Sequence, residues 1–194
     1  NQVYSALMKA YKYKLKPSRK ITAIFESWLT VLCELYNAAI QERRDAYRIN
    51  GISISKSDQE KQLPEIKQEN PRLARIHSQV IQEALRRVDL AFQHFFRRAR
   101  EGQVPGFPRF RSRSRYDSFT YKQSGFKLDQ KTKKLHLSKI GSVKVFLSRP
   151  VEGIIKTCTI KREADGWYVI FAVEEIEKKA TVLVPDVTIG IFSH

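Results

Sequence analysis

A chain of 194 residues is long enough for one substantial domain or two small ones. Its apolar fraction of 42% and aromatic fraction of 11% exclude a disordered chain. Its formal charge of +16, from 36 Lys and Arg against 20 Asp and Glu, works against compactness unless a polyanion is the usual partner. An anionic membrane is the other candidate partner, but no apolar run approaches the ~18–20 residues of a span, and no helix is strongly basic on one face and purely apolar on the other.

Tyr11 to Lys16 alternates apolar with basic residues, a half-buried strand whose outer face is Lys12, Lys14 and Lys16. Met8 resembles a natural start, which would make residues 1–7 an extension. Pro17 and Ser18 stop the strand and open a helix over residues 19–50. Phe25, Trp28, Leu32, Leu35, Tyr36, Ala39 and Ile40 form its apolar stripe at spacings of three and four. Arg43, Arg44 and Arg48 are expected as solvated cations near its C-terminus, and Asn50-Gly51 as its stop. Residues 53–67 predict a short, weak helix ending near Pro64. A third helix opens at Asn70-Pro71 and continues unbroken to about Arg100, with Ile76, Val80, Ile81, Leu85, Val88, Phe92, Phe95 and Phe96 inward.

From residue 118 the period becomes two. The predicted strands are Ser118–Gln123, Phe126–Asp129, Lys134–Leu137, Val143–Leu147, Ile154–Arg162 and Trp167–Glu174, with a hairpin turn at Ala164-Asp165-Gly166. Trp167 to Val173 is apolar at nearly every position, which predicts cover on both faces. The expected fold class is α+β: a small antiparallel, OB-like β-barrel, completed by strand 10–16 and hosting a helical insertion. The expected divisions are a discontinuous barrel domain over 1–17 and 103–183, and a helical domain over 18–102.

Catalytic chemistry is not legible. His77, His94, His136 and His194 stand in no metal-ligand spacing, and there is no phosphate-cradling glycine loop or nucleophile elbow. Cys33 and Cys158 each sit in an apolar pattern and read as buried thiols, which suits a reducing compartment. Binding is better supported. In Gly106-Phe107-Pro108-Arg109-Phe110-Arg111-Ser112-Arg113-Ser114-Arg115-Tyr116, an extended backbone would throw Arg109, Arg111, Arg113 and Arg115 to one side, about 7 Å apart. That ladder resembles the spacing of nucleic-acid phosphates, which guanidiniums grip bidentately. Tyr11, Tyr13, Tyr116, Phe119 and Tyr121 are candidates to stack on bases, with a place in the core as the alternative.

Lys12-Tyr13-Lys14-Leu15-Lys16-Pro17, Leu35-Tyr36-Asn37-Ala38, Gln82, Phe95-Phe96-Arg97, Gly106-Phe107-Pro108-Arg109-Phe110 and Gly153-Ile154-Ile155-Lys156 occur in that order before Trp167-Tyr168. Together they resemble the amino-terminal half of TnpB, the transposon-encoded RNA-guided nuclease family ancestral to type V CRISPR effectors. The resemblance covers essentially residues 8–180. It implies that the barrel is a wedge domain gripping a guide RNA scaffold, and that residues 18–102 are a recognition lobe holding the guide–target heteroduplex. It implies RNA or heteroduplex contacts for Lys12, Lys14, Lys16, Arg109, Arg111, Arg113, Arg115 and Tyr116. Reading of a short target-adjacent motif would fall to Ser78, Gln79, Gln82, Lys122 and Gln123; glutamine can pair bidentately with adenine.

The departure lies at residues 184–194, which resemble a degenerate start of the family's RuvC-like nuclease. Val187-Thr188-Ile189-Gly190-Ile191 stands where Ile-Asp-x-Gly-Ile is expected, so Thr188 replaces the first catalytic acid. Threonine supplies no carboxylate to a divalent metal. The expectation is therefore an RNA-guided DNA-binding module with guide RNA and target DNA as partners and no cofactor of its own. Magnesium would enter only with a nuclease supplied elsewhere, for instance by a second polypeptide. A prokaryotic cytosolic or nucleoid location follows from the resemblance. Two alternatives stand beside this one: the amino-terminal part of an active TnpB-type endonuclease, and a structural RNA-binding protein.

Overall fold

The computed structural model describes residues 4–178, with side chains for residues 7–175. The chain forms strand β1 (Tyr4–Lys16) and then four helices: α1 (Arg19–Asn50), α2 (Lys56–Glu69), α3 (Pro71–Ala74) and α4 (Ser78–Arg100). Six strands follow: β2 (Ser118–Lys122), β3 (Phe126–Asp129), β4 (Lys134–Leu137), β5 (Gly141–Val145), β6 (Ile154–Glu163) and β7 (Gly166–Lys178). All pairings are antiparallel, in the order β2-β6-β7-β1-β5-β4-β3. The two outer strands of that order, β2 and β3, are joined by only Gln123, Ser124 and Gly125. The sheet therefore curls into a nearly closed barrel, as the expected α+β class requires.

β1 links the two parts of the sheet. It pairs β7 from Tyr4↔Lys178 to Lys14↔Tyr168, then crosses to β5 at Leu15↔Val145 and Lys16↔Lys144. The strand thus begins before Met8, within the residues expected as an extension. Its alternation holds: Tyr11, Tyr13 and Leu15 are buried, and Lys12, Lys14 and Lys16 are exposed. In β7 the expectation of two covered faces is corrected. Trp167, Val169, Phe171 and Val173 fill the core, whereas Tyr168, Ile170 and Ala172 are only half-buried on the other face.

α1 lies over the barrel on its aromatic residues. The Phe25 ring sits 5.0 Å from Trp167 and 5.7 Å from Phe119, and Trp28 sits 5.4 Å from Phe119 and 6.2 Å from Tyr121. Each such pair contributes ~0.5–1.5 kcal/mol beyond the burial of the rings themselves. Helices and barrel consequently share one apolar core, which also holds both free cysteines.

The helix ends have identifiable causes. The Ser18 hydroxyl accepts from Ile21 N, and Gly51 closes α1 in the left-handed region at φ 65°. α2 starts at a capping box in which Ser55 and Asp58 serve each other's backbone N–H groups. It also runs through Pro64 rather than ending there. Gln59 and Leu63, both buried, anchor it from the preceding turns. The expected single helix over residues 71–100 is broken after Ala74. Ile76 is driven fully into the core, and His77 caps α4 by accepting from Gln79 N at 3.3 Å. Lys139 donates to the freed carbonyls of Ala74 and Ile76 at 3.3 and 3.4 Å.

The turn between β2 and β3 requires Gly125. At φ 86° a Cβ there would lie 2.8 Å from Tyr121 Cδ1 and 2.9 Å from His77 Nε2. Gly125→Ala is expected to cost about 1–3 kcal/mol through strain and overpacking. The urea midpoint measures it, and an unchanged midpoint would contradict the tight packing described.

Candidate nucleic-acid interface

The arginine-rich segment is not an extended ladder. Arg115 N and Tyr116 N both donate to Ser112 O at 3.0 Å, which folds residues 112–116 into a turn and spreads the guanidiniums. Upstream, Asn37 of α1 clamps the segment with both ends of its amide. Asn37 Nδ2 donates to Arg111 O and Arg111 N donates to Asn37 Oδ1, each at 2.9 Å. Phe107 stacks on Phe95 of α4 at 4.7 Å and 21°. The Arg111 guanidinium lies 5.1 Å from the Tyr36 ring, and Arg113 pairs with Glu34 at 3.3 Å. The blocks Tyr36-Asn37, Phe95-Phe96-Arg97 and Gly106 to Arg111, scattered in sequence, thus meet at one joint.

Beside that joint runs an open cleft of about 760 Å³ between α4 and the segment. Arg87, Arg97, Arg98, Arg109 and Arg111 line it. Arg87 is committed to structure, donating to Ser118 O at 2.7 Å and to Thr120 Oγ1 at 3.1 Å. Arg97, Arg98 and Arg109 are exposed. Arg109 and Arg111 therefore join α4 arginines in a shared basic groove, while Arg113 and Arg115 sit on the turn beyond it.

The aromatic expectations are corrected. Tyr11, Tyr13, Tyr116, Phe119 and Tyr121 are all buried, none more than 6% exposed, so no stacking face is offered. Tyr116 packs on Tyr36 at 5.8 Å beneath the Arg87 guanidinium, and its ring is unavailable to RNA. Inward strand positions and the apolar shelf of α1 leave no outward course for these rings. Among the described residues the exposed aromatics are instead Tyr47, Phe96, Phe110 and Phe146, which corrects the inward expectation for Phe96. Only Phe110 carried a signal in sequence, by interleaving with the arginines.

The lysine face of β1 is partly occupied. Lys12 pairs with Glu163 at 2.6 Å and lies 4.5 Å from the Tyr168 ring, and Lys14 pairs with Asp165 at 3.2 Å. The Tyr168 hydroxyl and then Lys14 hold the Asp165 carboxyl below its ordinary range. Exposed pairs of this kind are worth only ~0.2–1 kcal/mol, so a phosphate can displace the carboxylates. Lys16 lies opposite Lys144 and is exposed.

A second juxtaposition lies across the molecule's helix–barrel seam. Gln79 and Gln82 on the first turns of α4 share a pocket of about 200 Å³ with Lys122 and Gln123 at the end of β2. Lys56, Glu83 and Arg86 complete it. Gln79 Oε1 accepts from Ser124 N at 3.2 Å, which ties α4 to the turn, and Gln123 is held at φ 69°. Ser78 stands just outside, accepting from Lys67 at 3.2 Å. His77 sets the angle of α4 here. Burial first, then the charges of Lys139 and Lys67, hold its imidazole below the ordinary histidine range. Thr188 lies outside the described residues. Among the described residues, no three His, Cys, Asp or Glu side chains converge as a metal site.

No family model matches the chain. The Escherichia coli (strain K12) protein "Putative RNA-guided DNA endonuclease InsQ" is 27% identical over 169 residues, 86% of this chain. This similarity to a putative RNA-guided DNA endonuclease supports the TnpB resemblance read from the sequence. It spans about 40% of that relative's length. The joint at Asn37 gives those blocks a physical role: they fix the basic segment against two helices.

Two outcomes test this geometry. Asn37→Ala removes both hydrogen bonds to Arg111 and is expected to cost ~1–3 kcal/mol. Hydrogen exchange of the Arg111 amide should accelerate while the middle of α1 stays protected; unchanged exchange would contradict the clamp. For His77, the unfolded chain takes up its proton near pH 6.5 and the folded chain only at lower pH. Stability contributed by the neutral ring is therefore full above about pH 6.5 and lost as pH falls through the lowered folded value. His77→Asn should flatten the stability–pH curve in that window; an identical slope would contradict it.

Proposed function

We infer that this chain is an RNA-guided DNA-binding module without a nuclease centre of its own. In this reading the barrel, residues 1–17 and 103–183, acts as a wedge domain on the guide scaffold, and residues 18–102 act as a recognition lobe. Base pairing chooses the target, while the protein holds backbone phosphates and reads a short flanking motif. The observation that carries the reading is the meeting of Gln79 and Gln82 with Lys122 and Gln123 in one pocket, some forty residues apart in sequence. The resemblance implies one shared task for those residues. The groove of Arg97, Arg98, Arg109 and Arg111 supports phosphate binding, with Lys12, Lys14, Lys16, Arg113 and Arg115 extending the basic surface.

Thr188, in place of the family's first catalytic acid, supports the absence of cleavage by this chain. The magnesium of the parent family would need carboxylates supplied by other residues or another polypeptide. A second reading is the amino-terminal part of an active endonuclease, favoured by coverage of only 40% of the relative.

Five results are expected. Guide-loaded protein should bind matched target duplex far better than scrambled duplex, and a randomised flank should yield a preferred motif. Gln82→Ala should flatten that preference by roughly 5–150-fold at one position, equivalent to ~1–3 kcal/mol. Arg109→Ala should weaken RNA binding uniformly and lower the log–log salt slope by about 1. Purified chain with guide RNA and magnesium should leave target DNA uncut. Strand scission would sink the first reading in favour of the second, and failure to distinguish matched from scrambled DNA would sink both.

A further inference from the structure

A pocket of about 210 Å³, distinct from the basic cleft although Phe107 lines both, opens among α1, the start of α2 and α4. Tyr47, Phe92, Phe96 and Phe107 provide aromatic walls, and Arg43, Asp89 and Gln93 the charged and amide groups. Arg43 was expected to be solvated, yet it is 5% exposed. Its Nε donates to Gln59 Oε1 at 2.9 Å and its Nη1 to Asp89 Oδ1 at 3.0 Å. Its Nη2 is buried with no hydrogen-bond partner among the described residues. A buried charged donor without an acceptor is costly, so the site favours a ligand that brings one. The Arg43 guanidinium also lies 5.3 Å from the Phe92 ring.

The rim has the complementary character. Tyr47 and Phe96 are 46% and 39% exposed. The Arg48 guanidinium lies 5.9 Å from the Phe107 ring, and that of Arg44 lies 5.1 Å from the Phe110 ring. A floor that lacks one acceptor, aromatic walls and a cationic rim match a planar heterocycle on a phosphate-bearing chain. Pockets for drug-sized ligands begin near ~300 Å³, so this one suits a single ring system.

We propose that this pocket receives one unstacked nucleobase from a single-stranded stretch of the bound RNA. The proposal rests on the RNA binding inferred above and adds a base-specific subsite to it. A base carbonyl oxygen accepts from Arg43 Nη2, the ring lies among Phe92, Phe96, Phe107 and Tyr47, and the adjoining phosphate lies toward Arg48. Splayed bases held on aromatic rings and read at their edges are the usual mode of single-strand RNA recognition. Asp89 narrows the choice. Its Oδ1 accepts from Arg43 and its Oδ2 accepts from Gln93 at 2.7 Å, and each carboxylate oxygen has a further lone pair. Guanine and uracil place a ring N–H beside a carbonyl and so satisfy both groups. Adenine lacks the carbonyl, and cytosine lacks the ring N–H. An apolar side chain from a protein partner would fill the walls but leave Arg43 Nη2 unmet, which disfavours that occupant.

The test is equilibrium binding of the full chain to ten-residue ribo-oligonucleotides of uridine, cytidine and adenosine, equal in length and charge, at low salt. The uridine oligomer should bind about tenfold tighter than the other two, equivalent to ~1.4 kcal/mol. Tyr47→Ala and Tyr47→Ser, at an exposed rim position, should remove that preference while leaving cytidine binding unchanged. Arg43→Lys, which lacks Nη2, should remove it as well. Equal affinity of the unsubstituted chain for all three oligomers would overturn the subsite and leave the inferred RNA binding standing. So would rim variants that keep the uridine preference, or that weaken all three oligomers alike. Absence of binding to every oligomer would instead overturn the RNA binding on which the proposal rests.

Discussion

The contact of Phe25 and Trp28 with Phe119, Tyr121 and Trp167 decides where everything else sits. It fixes α1 to the barrel by rings that are almost wholly removed from water. Full burial of each apolar side chain is worth ~1.5–3 kcal/mol, and the ring pairs add to that. With α1 in place, Asn37 faces the chain leaving α4, and the arginine segment is caught between two helices. With Tyr121 in place, the β2–β3 turn lies against His77, and the first turn of α4 is drawn to the end of β2. Both surfaces considered for nucleic acid are consequences of that junction.

The second constraint is charge. A surplus of sixteen positive charges must be held on one molecule. The described residues moderate it locally, by exposed pairs such as Lys12 with Glu163 and Lys156 with Glu174, and by rings under Arg87, Arg111 and Lys12. These arrangements hold cations in place while leaving them cheap to redirect, because exposed pairs are weak and screened by salt. In the proposed reading a polyanion meets preset cations rather than floppy side chains. The buried Arg43 is the opposite case: it is tied to Gln59 and Asp89 within the helical layer, and its Nη2 has no acceptor among the described residues.

Periodicity made the elements legible. The helix over 19–50 and the strands at 126–129 and 134–137 follow from spacing, and Ser18, Gly51 and Asn70-Pro71 mark helix ends. What escaped local reading was tertiary. Pro64 is tolerated because Gln59 and Leu63 anchor α2, and the third helix breaks because Ile76 is claimed by the core. Tyr116 and Tyr121 looked equally suited to surface or interior, and only the placement of α1 and α4 assigns them inward. Arg43 could have been flagged, since it continues the buried phase of Tyr36, Ala39 and Ile40 into the end of the apolar stripe. The resemblance grouped Gln79, Gln82, Lys122 and Gln123 by an expected task, but their meeting in one pocket and the Asn37 clamp show no local signature.

Sequencing the RNA that co-purifies with the chain tests the central claim most directly. The account predicts one uniform scaffold joined to a segment that varies with the intended target. A chain recovered free of RNA, or carrying an unselected mixture of cellular transcripts, would contradict it.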